Sequence, residues 1–581
     1  MTSGQAIPAA SSDLCEQAIA FCTEVIDSSG VAERLEGLLE RRTGRPRELK
    51  VRAILVALLL LALDERPLHI KAATKLLFCR LPEVWRQRLG TGGEPATKKA
   101  FLARYRQVRY LSHLALSVID PSAEAKNRVV PEQELAGLRK KLSDAEAAVR
   151  GARLEAVIND LVESSARVCS SDELDRFDGS VGLDATPVPL WSRGPSRGAG
   201  TCASDPDGGW YIRQADHREA TGPEGRALRK LSWALEATIA TMGRPPASVP
   251  AHPNLVLGLA LGRPGEDPGG TGVRVLASVR ARGWPAKYLG ADRGYTQGTP
   301  ERFHLPVRAM GYSLVMDYKS TQLGRQANSQ GAVMVDGTFY CPAMPEALVG
   351  ASADHRAGKG DDDVYSARLA ARTAWRLVRK SGPDKDGYER LACPAQGQHP
   401  HLCCPLRPPA RSLGKVPVLA PPALPPKLCT QSAVTIAPDI GPRHRQDLAF
   451  GTEEWARTYA TYRNSTEGTN GYLKDTAHES LACPGRRRVR GIAAQSLFVA
   501  LLLMALSARS PPSARWWPTA PPPKWPNEHA GDGPTWPATA PRTEVRADYR
   551  CWASCGQGAP HWRAQRAGGP GEHAYAVLKD R

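Results

Sequence analysis

At 581 residues the chain is too long for one hydrophobic core and is expected to divide into several domains. Its 77 basic against 59 acidic residues give a formal charge of +18, which favours a polyanionic partner, nucleic acid being the commonest; arginine over-use in a GC-rich genome is the competing account. Thirteen cysteines, an odd number spread over a long chain, exclude a secreted disulfide scaffold.

The first residues lack the basic start and apolar run of an export signal. Two apolar runs, 53–63 and 497–506, are shorter than the ~18–20 residues a bilayer requires. Both are read as buried helices, with no membrane contact and a cytoplasmic location expected.

Residues 1–125 read as a helical N-terminal region, with apolar positions at helical spacing from about 13 to 120 and Pro46, Pro67 and Pro82 as punctuation. Within it Arg41, Arg42, Arg45, Arg47, Lys50 and Arg52 face a single acid, Glu48. That segment either grips a DNA backbone or solvates a helix entrance. Residues 126–170 read as an amphipathic helical connector. Leu135, Leu138, Leu142, Ala145 and Val149 there form either a short coiled-coil-like seam or a face packed on the preceding helices.

From about residue 171 the period changes to that of strands. In RFDGSVGLDATPVPLW, Phe177, Val181 and Leu183 point one way while Asp178 and Asp184 point the other. GGWYIRQAD and LSWALEATIATMG follow as strands, and PNLVLGLAL is a further apolar segment. A helix over about 272–282, the strand AKYLGAD, a short helix and the strand YSLVMDY complete a mixed α/β sheet by residue 320. Residues 321–450 read as a loop- and Pro-rich insertion, broken by a helix over about 363–380. Residues 451–509 hold one helix around Glu467 and an apolar one over 492–506. Residues 510–581 are rich in Pro and Trp without period, and disorder is expected. The tail's six tryptophans either stack on bases or are accidental.

The segment RNSTEGTNGYLK spaces Arg463, Glu467, Asn470 and Lys474 four, three and four residues apart. At about 3.6 residues per turn these side chains share one helical face. An acid flanked by two cations and an amide suits a metal ion and a phosphodiester together. Asp184 and Asp292 lie upstream in strand settings, and Asp178 is an alternative to Asp184. Three carboxylates on rigid elements could hold two Mg2+ (or Mn2+) ions about 3.5–4 Å apart, which activate a water or a 3′-hydroxyl and stabilise the leaving oxygen.

In these residues the chain resembles bacterial insertion-sequence transposases of the DDE class, with the RNase H-like fold of the retroviral integrase superfamily. The match covers about 176–318 and 449–506: a first Asp late in an opening strand, an Asp-x-Gly-Tyr box (Asp292, Gly294, Tyr295), and Arg-x3-Glu-x6-Lys at Arg463, Glu467 and Lys474. The family's pattern has Tyr three residues before the Arg; here Ala460 stands there, flanked by Tyr459 and Tyr462.

The resemblance implies an RNase H-like mixed sheet with flanking helices and a β-rich insertion between Asp292 and Glu467. It assigns Asp184, Asp292 and Glu467 to catalysis and two-metal binding, and Arg463, Lys474 and Asn470 to contacts near the transposon end. It implies double-stranded DNA partners (terminal inverted repeats and target), a homodimer in the synaptic complex, and a nucleoid-associated location. A decayed or repurposed DNA-binding protein is the alternative, and a nuclease that cuts without joining is a third reading. Arg486, Arg487, Arg488 and Arg490 either track phosphates beside the site or solvate a helix start. Asp361–Asp363 are read as solvated acids ahead of a helix. Cys393, His399, His401, Cys403 and Cys404, with Cys429 beyond, lack a paired Cys-x2-Cys knuckle, so structural zinc is not expected.

Overall fold

In the computed structural model, residues 16–509 are described except 41–46, 123, 125, 170, 197, 215–228, 244–251, 297, 398–399 and 408–418. The expected disordered tail therefore lies outside the described residues, as do Arg41, Arg42, Arg45 and His399.

The N-terminal region is helical as its periodicity predicts: Glu16–Ser28, Val31–Leu39, Val51–Leu63, Ile70–Lys75, Glu83–Arg88 and Lys98–Ser117. The Val51–Leu63 helix is apolar on all sides, so it can only run through a core. Its neighbour there is the equally apolar Ile492–Arg509 helix, which shares one buried cluster with it. Ile492–Arg509 is long and apolar enough to cross a membrane, but 83% of it is buried inside the fold. Arg509 closes the junction by donating to the Ala62 and Leu63 carbonyls at 2.9 Å, in the last turn of the facing helix. Two cations of the basic segment are tied within the fold. Arg47 pairs with Glu36 at 3.2 Å, and Arg52 grips both oxygens of Asp27 at 2.5 and 2.7 Å.

The connector is two helices, Glu132–Arg139 and Asp144–Ala166, so the predicted seam does not form. Ser143 ends it: its hydroxyl accepts from the Glu146 amide and starts a new helix. Leu135 is buried but Val149 is 44% exposed. Burial moves to Leu154, Val157, Ile158, Leu161 and Val162.

The central sheet has six strands: β1 Val181–Pro189, β2 Gly209–Gln214, β3 Arg229–Met242, β4 Val256–Gly262, β5 Tyr288–Ala291 and β6 Ser313–Val315. Their order is β2-β3-β1-β5-β6, with β4 also pairing β3. β1 to β4 pair antiparallel, whereas β5 runs parallel to both β1 and β6. The helices Pro268–Ala281 and His304–Ala309 make the crossovers that parallel pairing requires. Asn159, on the Asp144–Ala166 helix, bonds both the carbonyl and the amide of Leu259 at 2.9 and 2.8 Å, completing the free edge of β4. One face carries Val181, Leu183, Ala240 and Leu257 against the Pro268–Ala281 helix. On the other face Val188, Leu235, Ala237 and Ile239 join the N-terminal helices and Ile492–Arg509.

The insertion is more ordered than its composition predicts. It holds two three-stranded antiparallel sheets: β7 Arg325–Ser329, β8 Ala332–Val335 and β9 Thr338–Tyr340, then β10 Val378–Ser381, β11 Glu389–Ala392 and β12 Val434–Ile436. Two-residue turns with positive φ at both positions join the first three strands, Gln330-Gly331 (54° and 92°) and Asp336-Gly337 (46° and 84°), as right-twisted hairpins require. The predicted 363–380 helix is shorter, Asp362–Thr373, because the chain re-enters a sheet at Val378. Asp361 caps its start through the Val364 amide at 2.9 Å.

Candidate active site

β1 is flanked on both sides only over its first residues. Val181, Gly182 and Leu183 pair with Leu289, Gly290 and Ala291 of β5, and there β5 ends. Extending the register by one step places Asp184 beside Asp292, on adjacent parallel strands about 4.8 Å apart. Extending the β5–β6 register in the same way places Asp292 beside Asp317. Three aspartates thus stand in a row where β5 and β6 end, Asp184 midway along β1 and the other two just past their strands. The carboxyl end of parallel strands is where open α/β sheets bind ligands. Beyond Asp184 the β5 side of β1 is unpaired, and Pro187 and Pro189 are tolerated there.

The Glu453–Lys474 helix crosses β1, β3 and β5 on the Asp184 side of the sheet. Thr452 caps it through the Trp455 amide. Its inner stripe is Tyr462, Ser465, Thr466, Thr469, Asn470 and Leu473. Contact this close requires glycine beneath it. A Cβ on Gly182 would overlap Thr466 Cγ2 and lie 3.1 Å from the Tyr462 carbonyl, and one on Gly290 would lie 2.6 Å from Tyr462 Cβ.

Asn470 Nδ2 donates to Asp184 Oδ2 at 2.7 Å, which fastens helix to strand at the site. The Ala185 amide donates to the other carboxylate oxygen at 2.9 Å. Burial nevertheless pushes the Asp184 carboxyl up, and the charge of Asp292 adds to this, while the two hydrogen bonds and Lys474 oppose it. Asp292 is exposed and accepts from the Arg293 amide at 2.6 Å. The turn it starts is anchored by buried Tyr295, whose ring packs on Phe303 with centroids 5.1 Å apart.

Glu467 is exposed and paired with Arg463 Nε at 2.7 Å, and Arg463 also donates to the Tyr459 hydroxyl at 3.3 Å. Tyr459 therefore reaches the Arg on which the family pattern centres, although Ala460 occupies the expected slot. The four-residue motif does lie along one line of the helix, at the boundary between buried and open faces. Asn470 falls inside that boundary and orients Asp184, so its predicted DNA contact is corrected to an intramolecular one. Gly468 and Gly471 face open space.

Asp178 precedes β1 and does not share the site. Burial works against its charge, but bonds from Lys287 (2.7 Å) and Ser180 hold its carboxyl below the usual range. Arg487 is a second correction. It is fully buried, donates to the Leu481 carbonyl at 2.9 Å, and burial lowers its pKa to about 10; no phosphate can reach it. Arg486 is half-buried and bonded to Ser480 and His478. Arg488 is exposed, stacked 4.5 Å above the Trp191 ring.

Two acids were not singled out from sequence. Asp317 is held by Arg356 at 2.9 Å and faces Arg293 at 3.6 Å; its signal was the strand-ending VMDY, the counterpart of LGAD. Glu236 on β3 accepts from the Gly265 amide at 3.1 Å, and burial followed by the charge of Asp184 pushes its carboxyl up.

Hard oxygen donors dominate this place: the Asp184 and Asp292 carboxylates, with the buried Asn470 Oδ1 left without a hydrogen-bond partner. Such a set suits Mg2+ or Mn2+, and a cation would favour the ionised form that burial, and then the charge of Asp292, oppose at Asp184. Among the described residues, however, no three His, Cys, Asp or Glu side chains are grouped closely enough to hold an ion. Asp184 and Asp292 would hold it, and Glu467 would join by leaving Arg463. The sequence matches no protein-family model and no curated protein.

Proposed function

We propose that the chain is a DNA transposase of the DDE class, with an RNase H-like catalytic core that cuts at transposon ends and joins them to target DNA. The observation that carries this reading is the parallel β1–β5 register, which ends at Leu183 and Ala291 and so leaves Asp184 and Asp292 at the next step where the strands part, beneath the helix that bears Glu467. Antiparallel strands followed by parallel ones, with an ordered β-rich insertion before that helix, agree with the same family.

Two divalent ions held by Asp184, Asp292 and Glu467 would activate a water or 3′-hydroxyl and stabilise the departing oxygen. The chain's own residues supply the rest. Asn470 holds Asp184 in place, and Lys474 offsets the charge of the acids. Arg463, exposed and permanently charged, suits a DNA phosphate; taking one would free Glu467 for metal. Arg488 offers a further phosphate contact, and Arg486 a weaker one. The partners are terminal inverted repeats and target DNA, a homodimer pairs the two ends, and the nucleoid is the working location.

The test is Mg2+- or Mn2+-dependent cleavage and joining of DNA bearing the element's own ends, wild type against Glu467→Gln. Loss of activity with retained DNA binding supports the proposal. Binding without cleavage by the wild type would favour a repurposed DNA-binding protein, for which the Arg463–Glu467 pair is the supporting feature. Cleavage without joined products would make it a nuclease, and equal activity of both proteins would remove Glu467 from the site.

A further inference from the structure

We propose that Cys341, Cys393, Cys404 and Cys429 form a structural tetrathiolate zinc site that fastens the insertion together. The cysteines come from four separate segments. Cys341 directly follows β9, Cys393 directly follows β11, Cys404 lies in a short bridge to Arg407, and Cys429 is in the Lys427–Thr430 turn of helix.

Backbone pairing brings the first two to one stretch of chain. Cys341 donates its amide to the Trp375 carbonyl, while Ala392 pairs with Val378, which sets Cys393 beside Leu377. Trp375 lies in the turn after the Asp362–Thr373 helix and Leu377 leads into β10, so the two cysteines flank one short stretch of chain. Trp375, Leu377, Cys341, Cys393 and Cys404 all belong to one buried cluster. Arg407 ties in the fourth by donating to the Cys429 carbonyl at 3.1 Å. Every pair among the four thiols is close enough for charge on one to raise the other.

The local backbone has the form a thiolate ligand requires. Three of the cysteines open a Cys-Pro turn: the amides of Met344, Gln396 and Arg407 bond the carbonyls of Cys341, Cys393 and Cys404 at 3.1, 3.1 and 2.9 Å. Within two of these turns the residue after the proline, Ala343 or Ala395, donates its amide to the sulfur. Donors aimed at sulfur stabilise the ionised form that zinc binds. The fold gains nothing evident by aiming them at a neutral thiol in an apolar core.

Without metal these groups oppose ionisation. Burial, then the neighbouring thiols, push Cys341 up to about 12. As they stand, the four thiols, all among the described residues, do not converge within ligating reach of one point. Binding would require the four side chains to change rotamer. Zn2+ would displace four protons, bind four sulfurs at about 2.3 Å, and convert like-charge repulsion into coordination. A small core between two sheets of short strands is the kind of unit that such a staple stabilises. The missing Cys-x2-Cys spacing is no obstacle, because tertiary folding supplies the pairing.

The test uses the full chain, expressed with zinc and purified under reducing conditions. Elemental analysis should give one zinc per chain. Cys393→Ser and Cys404→Ser should lose it, while Cys403→Ser, at the half-buried neighbour, and Asp184→Asn, in the proposed catalytic site, should keep it. Should the cysteine variants aggregate, Co2+ exchange into wild type reads the site directly through intense sulfur-to-metal charge transfer. Alkylation mapping should then show these four thiols protected only when metal is bound. Metal-free wild type with four reactive thiols would overturn the proposal. Retention of zinc by both serine variants would do so as well, and so would loss of zinc in Asp184→Asn, which would place the metal at the carboxylates. None of these outcomes depends on whether the chain cuts DNA.

Discussion

Asn470→Ala removes the hydrogen bond that fastens the Glu453–Lys474 helix to Asp184. A bond to an ionised acceptor contributes about 1.5–3 kcal/mol, against about 1 kcal/mol for a neutral one. Because the bond favours the ionised form over the neutral one, its loss should push the Asp184 carboxyl still further up. The folded-state value of Asp184 already lies above its unfolded one. The fold therefore loses stability as pH rises through that interval, and Asn470 limits the loss. The single substitution understates this, because it also deletes Asn470 Oδ1, a buried atom without a partner. A double-mutant cycle with Asp184→Ala cancels that contribution. Urea unfolding of the four proteins should give a coupling of about 1.5–3 kcal/mol at pH 7, shrinking towards about 1 kcal/mol as the pH falls and Asp184 takes up its proton. A coupling near zero at pH 7, or one that ignores pH, would refute the reasoning.

Gly182→Ala should cost about 1–3 kcal/mol and shift the Glu453–Lys474 helix, since its methyl meets Thr466 and the Tyr462 carbonyl; Thr466→Ala in the same chain should recover part of the loss in thermal melts. Arg487→Ala and Arg488→Ala should separate cleanly. The first strands buried carbonyls and should destabilise the fold by about 3 kcal/mol. The second should leave stability alone and lower the slope of log affinity against log salt for DNA by about one. Burial lifts Asp205, which caps Gly491 at the start of the Ile492–Arg509 helix, to about 6. Raised from 3.8, it should cost the fold about 3 kcal/mol as pH climbs from 4 through 6. Asp205→Asn should flatten that part of the stability–pH curve, and an unchanged curve would assign the slope elsewhere.

The row of aspartates shows how far the chain could be read unfolded. Alternation in SVGLDATPVPL placed Asp184 on a strand and opposite Leu183, because side-chain direction in a strand follows from sequence order alone. Periodicity likewise gave the N-terminal helices, the two all-apolar core helices and the Glu453–Lys474 helix. The turns Gln330-Gly331 and Asp336-Gly337 were equally legible hairpin signals in a segment whose composition suggested only loops.

Register and partner choice were not legible, since they depend on which surfaces meet. Nothing local to Asp178 or Arg487 distinguishes them from Asp184 or Arg488; Lys287 neutralises the first and the core engulfs the second. Asn470 and Glu467 lie one turn apart on one line of helix, yet only tertiary packing turns the first onto Asp184 and leaves the second with Arg463. Spacing within the chain determined which residues could share a face. What each face meets, and hence which charges are buried, paired or open to a phosphate, was decided by contacts between residues nearly 300 positions apart, which no local pattern encodes.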